Sequence, residues 1–326
     1  MKTRKIGALE VSELGLGCMS MSQSYGTADR DESERALHKA LDIGYTFLDT
    51  ASLYGLGHNE TLIGEVLKSR RQEFILASKC GISVRDGRRT VDCRPDTIKA
   101  SCEASLKRLQ TDTIDLYYLH RRDKHVPIED SVGALSDLVA EGKIRHIGLS
   151  EVSSKTLRRA HRVHPICAVQ SEYSLWTRDP EYKVIDCCKE LGVGFVPFSP
   201  LGRGFLSASI KNMEQLEEDD MRQTMPRFMG ANFKHNLQLV ERLGEIAQRY
   251  DCTIAQLSLA WVMAKGEHFV AIPGTKHVRY VEENAAACNI QLSSEAIDLI
   301  ESIVNPEEIK GQRYAPSQMI SLDPDD

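Results

Sequence analysis

Apolar residues in this chain alternate between short unbroken runs and longer stretches with helical spacing. The runs at 14–18, 46–49, 74–79, 114–120, 146–150, 168–172, 194–199 and 269–273 are too short for helices and predict strands. Between and after them, apolar positions recur three and four residues apart. This predicts helices over 32–41, 60–67, 95–109, 128–141, 153–163, 181–191, 237–249, 254–265, 278–287 and 294–304. Local signals agree with several boundaries. Pro95 suits a first helical turn, Gly142 a helix end, and Ser153 an N-cap. Residues 3–12 predict a small hairpin turning at Gly7-Ala8.

Eight strand runs, each followed by a helix, match a closed parallel α/β barrel. The strand runs do not alternate polar with apolar, which suits a parallel sheet covered by helices. A chain of 326 residues otherwise suggests two domains of about 150 residues each. No Pro/Gly/Ser linker divides it, so the expectation is one domain over 1–326. Its fold class is α/β, a single (β/α)8 TIM barrel with an N-terminal β-hairpin and extra C-terminal helices. The surplus falls in the hairpin, a polar segment over 200–232, the added helices and a polar tail from about Pro306. A connection as long as 200–232 suggests a lid, expected to fold over a bound cofactor.

Charge narrows the partners. A net charge of −6 lacks the basic face that nucleic-acid phosphates require. The basic clusters at 68–71, 85–89 and Arg121-Arg122 are short and read as solvated loops or helix ends. No run approaches the ~18 apolar residues that span a bilayer, and no apolar stretch follows the charged residues 1–7 as a secretory signal requires. Nine scattered cysteines argue against a disulfide framework and for a reducing, cytoplasmic compartment. Neither Cys-x-x-Cys nor His-Glu-x-x-His occurs, so no metal site is expected.

In such a barrel, chemistry sits at the C-terminal ends of the strands. There the sequence places Asp49, followed by Tyr54, then Lys79, His120, Ser150 and the stretch Gln170 to Glu172. A phenol with a reference pKa of about 10 is a weak acid at neutral pH. A neighbouring Lys79 ammonium would lower that value, Asp49 would hold Lys79 charged, and His120 would orient a substrate oxygen. Together these groups suit proton delivery to, or removal from, a substrate oxygen. Gly15-Leu16-Gly17-Cys18-Met19-Ser20 lacks the third glycine of a dinucleotide fingerprint and opens no helix, so a Rossmann reading is weak.

These residues and their surroundings resemble the aldo-keto reductase superfamily. The matching motifs are Phe47-Leu48-Asp49-Thr50-Ala51-Ser52-Leu53-Tyr54-Gly55, His58-Asn59-Glu60, Ser78-Lys79 and Asp115-Leu116-Tyr117-Tyr118-Leu119-His120. They continue with Gly142-Lys143-Ile144-Arg145-His146-Ile147-Gly148-Leu149-Ser150, Gln170-Ser171-Glu172-Tyr173, Phe198-Ser199-Pro200-Leu201-Gly202-Arg203-Gly204, and Ile272-Pro273-Gly274-Thr275-Lys276 with Glu283-Asn284. The resemblance runs from about Lys5 to Asn305 and is similar to a bacterial and plant reductase branch. It implies an NADPH-dependent oxidoreductase that reduces an aldehyde or ketone to an alcohol, reversibly, with hydride from nicotinamide C4 and a proton from Tyr54. Asp49, Tyr54, Lys79 and His120 then form the catalytic set.

The resemblance also implies cofactor contacts. Ser150 and Gln170 meet the nicotinamide carboxamide, and Phe198 stacks on its ring. Ser199, Leu201, Gly202 and Arg203 surround the pyrophosphate. Gly274, Thr275 and Lys276 meet the 2′-phosphate, with Arg279 nearby favouring NADPH. Tyr280, Glu283 and Asn284 meet adenine. Met19, Tyr25 and Trp176 are expected at the substrate pocket. Phe198 stands where the family more often has Tyr, and Cys80 where this branch commonly has an aromatic. The rival readings are a non-catalytic NADPH-binding regulatory subunit and, more distantly, a lyase or aldolase using Lys79 as a Schiff-base nucleophile.

Overall fold

The computed structural model describes residues 1–85, 87–319 and 322–325. The chain begins with the expected antiparallel hairpin, β1 (Thr3–Ile6) and β2 (Leu9–Ser12). Three strands follow, β3 (Leu16–Gly17), β4 (Phe47–Asp49) and β5 (Ile75–Cys80), then a second hairpin, β6 (Ile82–Arg85) and β7 (Arg88–Val91). The sheet resumes with β8 (Ile114–Leu119), β9 (Ile144–Ser150), β10 (Ile166–Glu172) and β11 (Gly194–Phe198). Strands β3, β4, β5, β8, β9, β10 and β11 lie side by side in one parallel sheet.

Residues 269–274 close that sheet. Ala271 and Gly274 bridge to Leu14 and Gly17 on one edge, and Phe269 and Ile272 bridge to Phe195 and Phe198 on the other. The result is the (β/α)8 barrel. Around it run α1 (Arg30–Asp42), α2 (His58–Leu67), α3 (Pro95–Leu109), α4 (Ile128–Ala140), α5 (Ser154–Val163) and α6 (Val184–Leu191). After β11 come α7 (Gly230–Arg242), α8 (Gly244–Arg249), α9 (Ile254–Ala264), α10 (Val278–Ala286), α11 (Ser294–Ile303) and α12 (Pro316–Met319).

Two apolar layers hold the barrel. Its interior is filled by Phe47, Ala77, Leu116, Tyr118, Ala168, Val196 and Val270, and the first hairpin packs Ile6, Leu9 and Val11 against them. This plugs one end and leaves the other for chemistry. Gly148 is required by this packing, because a Cβ there would sit 2.3 Å from the Tyr118 ring. The larger layer lies between strands and helices.

The structure departs from the sequence pattern in four places. The first and last barrel strands are shorter than the apolar runs, since each pairs through only a few residues at the closure. Arg85, Arg88 and Arg89 of the second basic cluster lie on the β6–β7 strands rather than in a free loop, and residue 86 between them falls outside the described residues. The helix expected over 237–249 starts at Gly230 and breaks at Leu243. Phe233 and Asn236 are its buried early positions, which the polar neighbours Lys234 and His235 disguise. The helix expected from 181 starts at Val184, because Pro180 sets a separate 3-10 turn at Asp179–Tyr182. Among the described residues no helix is long and apolar enough to cross a membrane.

Candidate active site

Asp49 ends β4 and Lys79 lies on β5, and both are buried at the C-terminal end of the barrel. Lys79 Nζ ion-pairs with Asp49, donates to the Thr50 carbonyl at 2.8 Å and stands 3.3 Å from the Tyr54 hydroxyl. Gln170 Nε2 donates to the second Asp49 oxygen at 2.8 Å. His120 follows β8, and its ring meets the Tyr54 ring edge-on with centroids 5.9 Å apart. Four strands thus bring the predicted tetrad and Gln170 to one point.

Tyr54 opens a short 3-10 turn, Tyr54–Gly57, beyond the end of β4, so something must fix it. Ser52 Oγ donates to the Lys79 carbonyl at 2.9 Å, and Thr50 Oγ1 donates to Asn59 Oδ1 at 2.6 Å. Asn59 Nδ2 donates to the Cys18 carbonyl and to Ser22 Oγ, both at 2.8 Å. The buried Glu60 pairs with Arg108 at 2.6 Å and accepts from Ser78 Oγ at 2.5 Å, beside Lys79. Asn59 therefore clamps the turn that carries Tyr54, and Glu60 braces the strand beside Lys79.

Electrostatics refine the expected roles. Burial pushes the Tyr54 phenol above its ordinary pKa, and the Lys79 ammonium only partly opposes that. The expected lowering by Lys79 is outweighed, so Tyr54 keeps its proton in this arrangement. Burial works against the Lys79 ammonium, but Asp49 and Tyr54 hold its pKa above the usual lysine value. Burial, reinforced by Arg121, Lys79 and Arg89, holds His120 well below the usual imidazole range. The ring is therefore neutral at pH 7. Its Nδ1 is buried without a partner among the described residues, which favours placing the single N–H on Nε2.

Above these groups opens a cavity of about 780 Å³. It runs from Tyr54 and His120 past Ser150, Gln170 and Phe198 to Gly274, Thr275, Lys276, Tyr280, Glu283 and Asn284. Among the described residues its walls carry six Lys and Arg side chains and two carboxylates, Asp49 and Glu283. A hydroxyl, an amide, an aromatic ring and a distant cationic end fit a nicotinamide dinucleotide. Among the described residues no cluster of three or more metal-ligating side chains occurs.

A family model described as the aldo/keto reductase family matches residues 13–305. The chain belongs to the aldo/keto reductase family. It is 42% identical to the aldo-keto reductase str7 of Strobilurus tenacellus, over 99% of this chain and 98% of that protein. A glycerol dehydrogenase from Gluconobacter oxydans superposes with a TM-score of 0.86 at 27% identity, covering 93% of this chain and 96% of its own. An aldo/keto reductase from Klebsiella pneumoniae, solved with NADP and acetate, superposes with a TM-score of 0.74 at 29% identity, covering 96% and 99%.

In this aldo/keto reductase most residues expected to contact cofactor or substrate line the cavity, including Ser199, Leu201, Arg203, Met19 and Tyr25. Two do not. Trp176 is buried against Phe205, Phe228 and the Arg227 guanidinium. Its large apolar faces fill a packing site away from the main cavity. Gly202 lies against that indole, where a Cβ would meet it at 2.6 Å. Two cations are also otherwise engaged. Arg203 is buried, pairs with Glu172 at 2.8 Å and stacks on Tyr314. Lys276 Nζ donates to the carbonyls of Tyr25, Gly26 and Thr27 at 2.9, 3.1 and 2.6 Å. All three of its protons are committed to the β3–α1 loop, leaving Arg279 exposed and stacked on Tyr280 as the cation open to a ligand there.

The 200–232 segment folds into short 3-10 turns that supply Leu201, Ile210, Leu216, Met221 and Arg222 to the cavity wall. Glu217 accepts from Thr27 N and Oγ1, both at 3.0 Å, and Met221 N donates to the Ser24 carbonyl at 3.1 Å. The described residues beyond Pro306 are also structural. Arg313 pairs with Glu151 at 2.7 Å, Tyr314 lines the cavity, and Asp323 accepts from Arg122 and Ser153. Sequence reasoning missed Tyr314, Arg89, Arg121 and Arg222 as wall residues. The only signal was the placement of Arg121 directly after His120.

Proposed function

We propose that this aldo/keto reductase uses NADPH to reduce an aldehyde or ketone to its alcohol, reversibly. The observation that carries the reading is the buried chain from Gln170 through Asp49 and Lys79 to the Tyr54 hydroxyl, with neutral His120 beside it. The bound cofactor supplies a hydride from nicotinamide C4 to the carbonyl carbon.

The chain's own residues do the rest. Tyr54 and His120 Nε2 donate hydrogen bonds to the carbonyl oxygen and polarise it. As negative charge develops there, Tyr54 releases its proton to the oxygen, and the adjacent Lys79 ammonium stabilises the phenolate left behind. Asp49 holds Lys79 charged and in place. Ser150 and Gln170 Oε1 hold the carboxamide, and Phe198 lies against the nicotinamide ring. Ser199, Leu201, Gly274 and Thr275 border the diphosphate and ribose. Arg279 meets the 2′-phosphate, and Tyr280, Glu283 and Asn284 border adenine. Lys276 shapes this end by fixing the 25–27 loop.

Tyr54→Phe removes the transferable proton and little else. Turnover with an aldehyde should fall about 10²- to 10⁴-fold, while NADPH binding, read by its fluorescence, persists. Undiminished NADPH oxidation by this variant would sink the mechanism.

A further inference from the structure

Among the described residues six cationic side chains line the cavity, and their partners divide them. Arg203 pairs with Glu172 and Arg222 with Asp220, while Lys276 is spent on backbone carbonyls. Arg279 stands at the adenosine end. Arg89 and Arg121 remain, and among the described residues neither forms an ion pair.

Both belong to the catalytic end. Arg121 follows His120, and its Nη1 reaches the His120 carbonyl at 2.7 Å and Ser150 Oγ at 3.3 Å. Among the described residues its other guanidinium nitrogens make no hydrogen bond and meet no free carboxylate at this end of the wall, since Asp49 is saturated by Lys79 and Gln170. Arg89 comes from β7, exposed on the hairpin that follows the Lys79 strand. Both cations are near enough to weigh on the His120 imidazole. An enzyme for neutral substrates gains nothing from two uncompensated guanidiniums beside the reacting carbonyl. A bidentate donor fork there matches a carboxylate or phosphate.

We infer that the substrate of this reductase is an aldehyde or ketone carrying an anionic oxygen group, carboxylate or phosphate, which Arg121 and Arg89 hold while Tyr54 and His120 engage the carbonyl. This rests on the reductase reading above.

Two matched pairs test it with the intact enzyme and NADPH. The pairs are 4-carboxybenzaldehyde against methyl 4-formylbenzoate, and glyceraldehyde 3-phosphate against glyceraldehyde. The charged member of at least one pair should show kcat/KM higher by roughly 10- to 100-fold, the worth of a charge-assisted hydrogen bond, and the responding pair identifies the anion. The ratio should shrink with added salt and collapse in Arg89→Gln and Arg121→Gln. The neutral member of each pair is the internal control for folding and cofactor binding. Ratios near unity in both pairs, with NADPH still consumed, overturn the anionic substrate and leave the reductase standing. A preference that survives in both variants overturns the assignment to these residues. No NADPH oxidation with any of the four compounds overturns the reductase reading itself.

Discussion

Replacing Asp49 by Asn leaves the Lys79 ammonium fully buried without its counter-charge. The amide keeps the shape and can still accept one hydrogen bond, so the change isolates charge. Removing one member of a buried pair typically costs about 3–5 kcal/mol. With an unfolding entropy of about 2.1 cal/mol/K per residue and 326 residues, Tm should fall roughly 4–7 °C. The pH dependence follows from the Lys79 balance. In the parent, Asp49 and Tyr54 raise its pKa above the ordinary value against the pull of burial. That contribution is fully present below the unfolded pKa of about 10.4 and is lost only as pH rises through the still higher folded value. In Asp49→Asn burial is left largely unopposed and the folded pKa drops below the unfolded one. The variant is then penalised at neutral pH and recovers as pH rises and Lys79 deprotonates. The gap in Tm between the two proteins should therefore narrow from pH 7 toward pH 10. The alkaline limb of kcat/KM should move to lower pH in the variant. Thermal unfolding by circular dichroism across that range, beside NADPH oxidation with one aldehyde, reads both. A Tm within about 1 °C of the parent at pH 7, or a gap that widens with pH, refutes the charge argument.

Two further changes probe packing and cofactor choice. Gly148→Ala would press a Cβ to 2.3 Å from the Tyr118 ring in the barrel interior, so it should cost about 1–3 kcal/mol, measured by urea denaturation. A midpoint equal to the parent's would show that the ring yields freely. Lys276→Met releases the three carbonyls of the 25–27 loop but leaves Arg279. It should weaken NADPH and NADH binding alike by titration, whereas a loss confined to NADPH would return the 2′-phosphate to Lys276.

The barrel was legible because the buried stretches of parallel strands are mostly apolar, as 75–77 in β5, 116–119 in β8 and 147–149 in β9 are. Polar residues interrupting such strands, as Asp49, Lys79 and Gln170 do, stand out for the same reason. What escaped were features set by partners distant in sequence. Nothing around Trp176 reveals that Phe205 and Phe228 enclose it. Arg89 looks like any exposed hairpin arginine until its position on the cavity wall is seen. The protons of Lys276 are taken by a loop some 250 residues earlier, as the 2.6 Å bond to Thr27 shows. The sign of the Tyr54 shift was also hidden, since a residue list reports the neighbour Lys79 but not the depth of burial.

The closure at 269–274 joins the two ends of the sheet, with Gly15 N donating to the Ala271 carbonyl at 2.9 Å and Val270 N to the Phe195 carbonyl at 3.0 Å. Contacts so distant along the chain carry the largest loop entropy and form slowly. This seam also lines the cavity, through Gly17 on one side and Gly274 on the other. A ligand lying across it ties the first strand to the last. Saturating ligand should then retard unfolding at the seam, so cofactor supply would set the lifetime of the folded enzyme as well as its turnover.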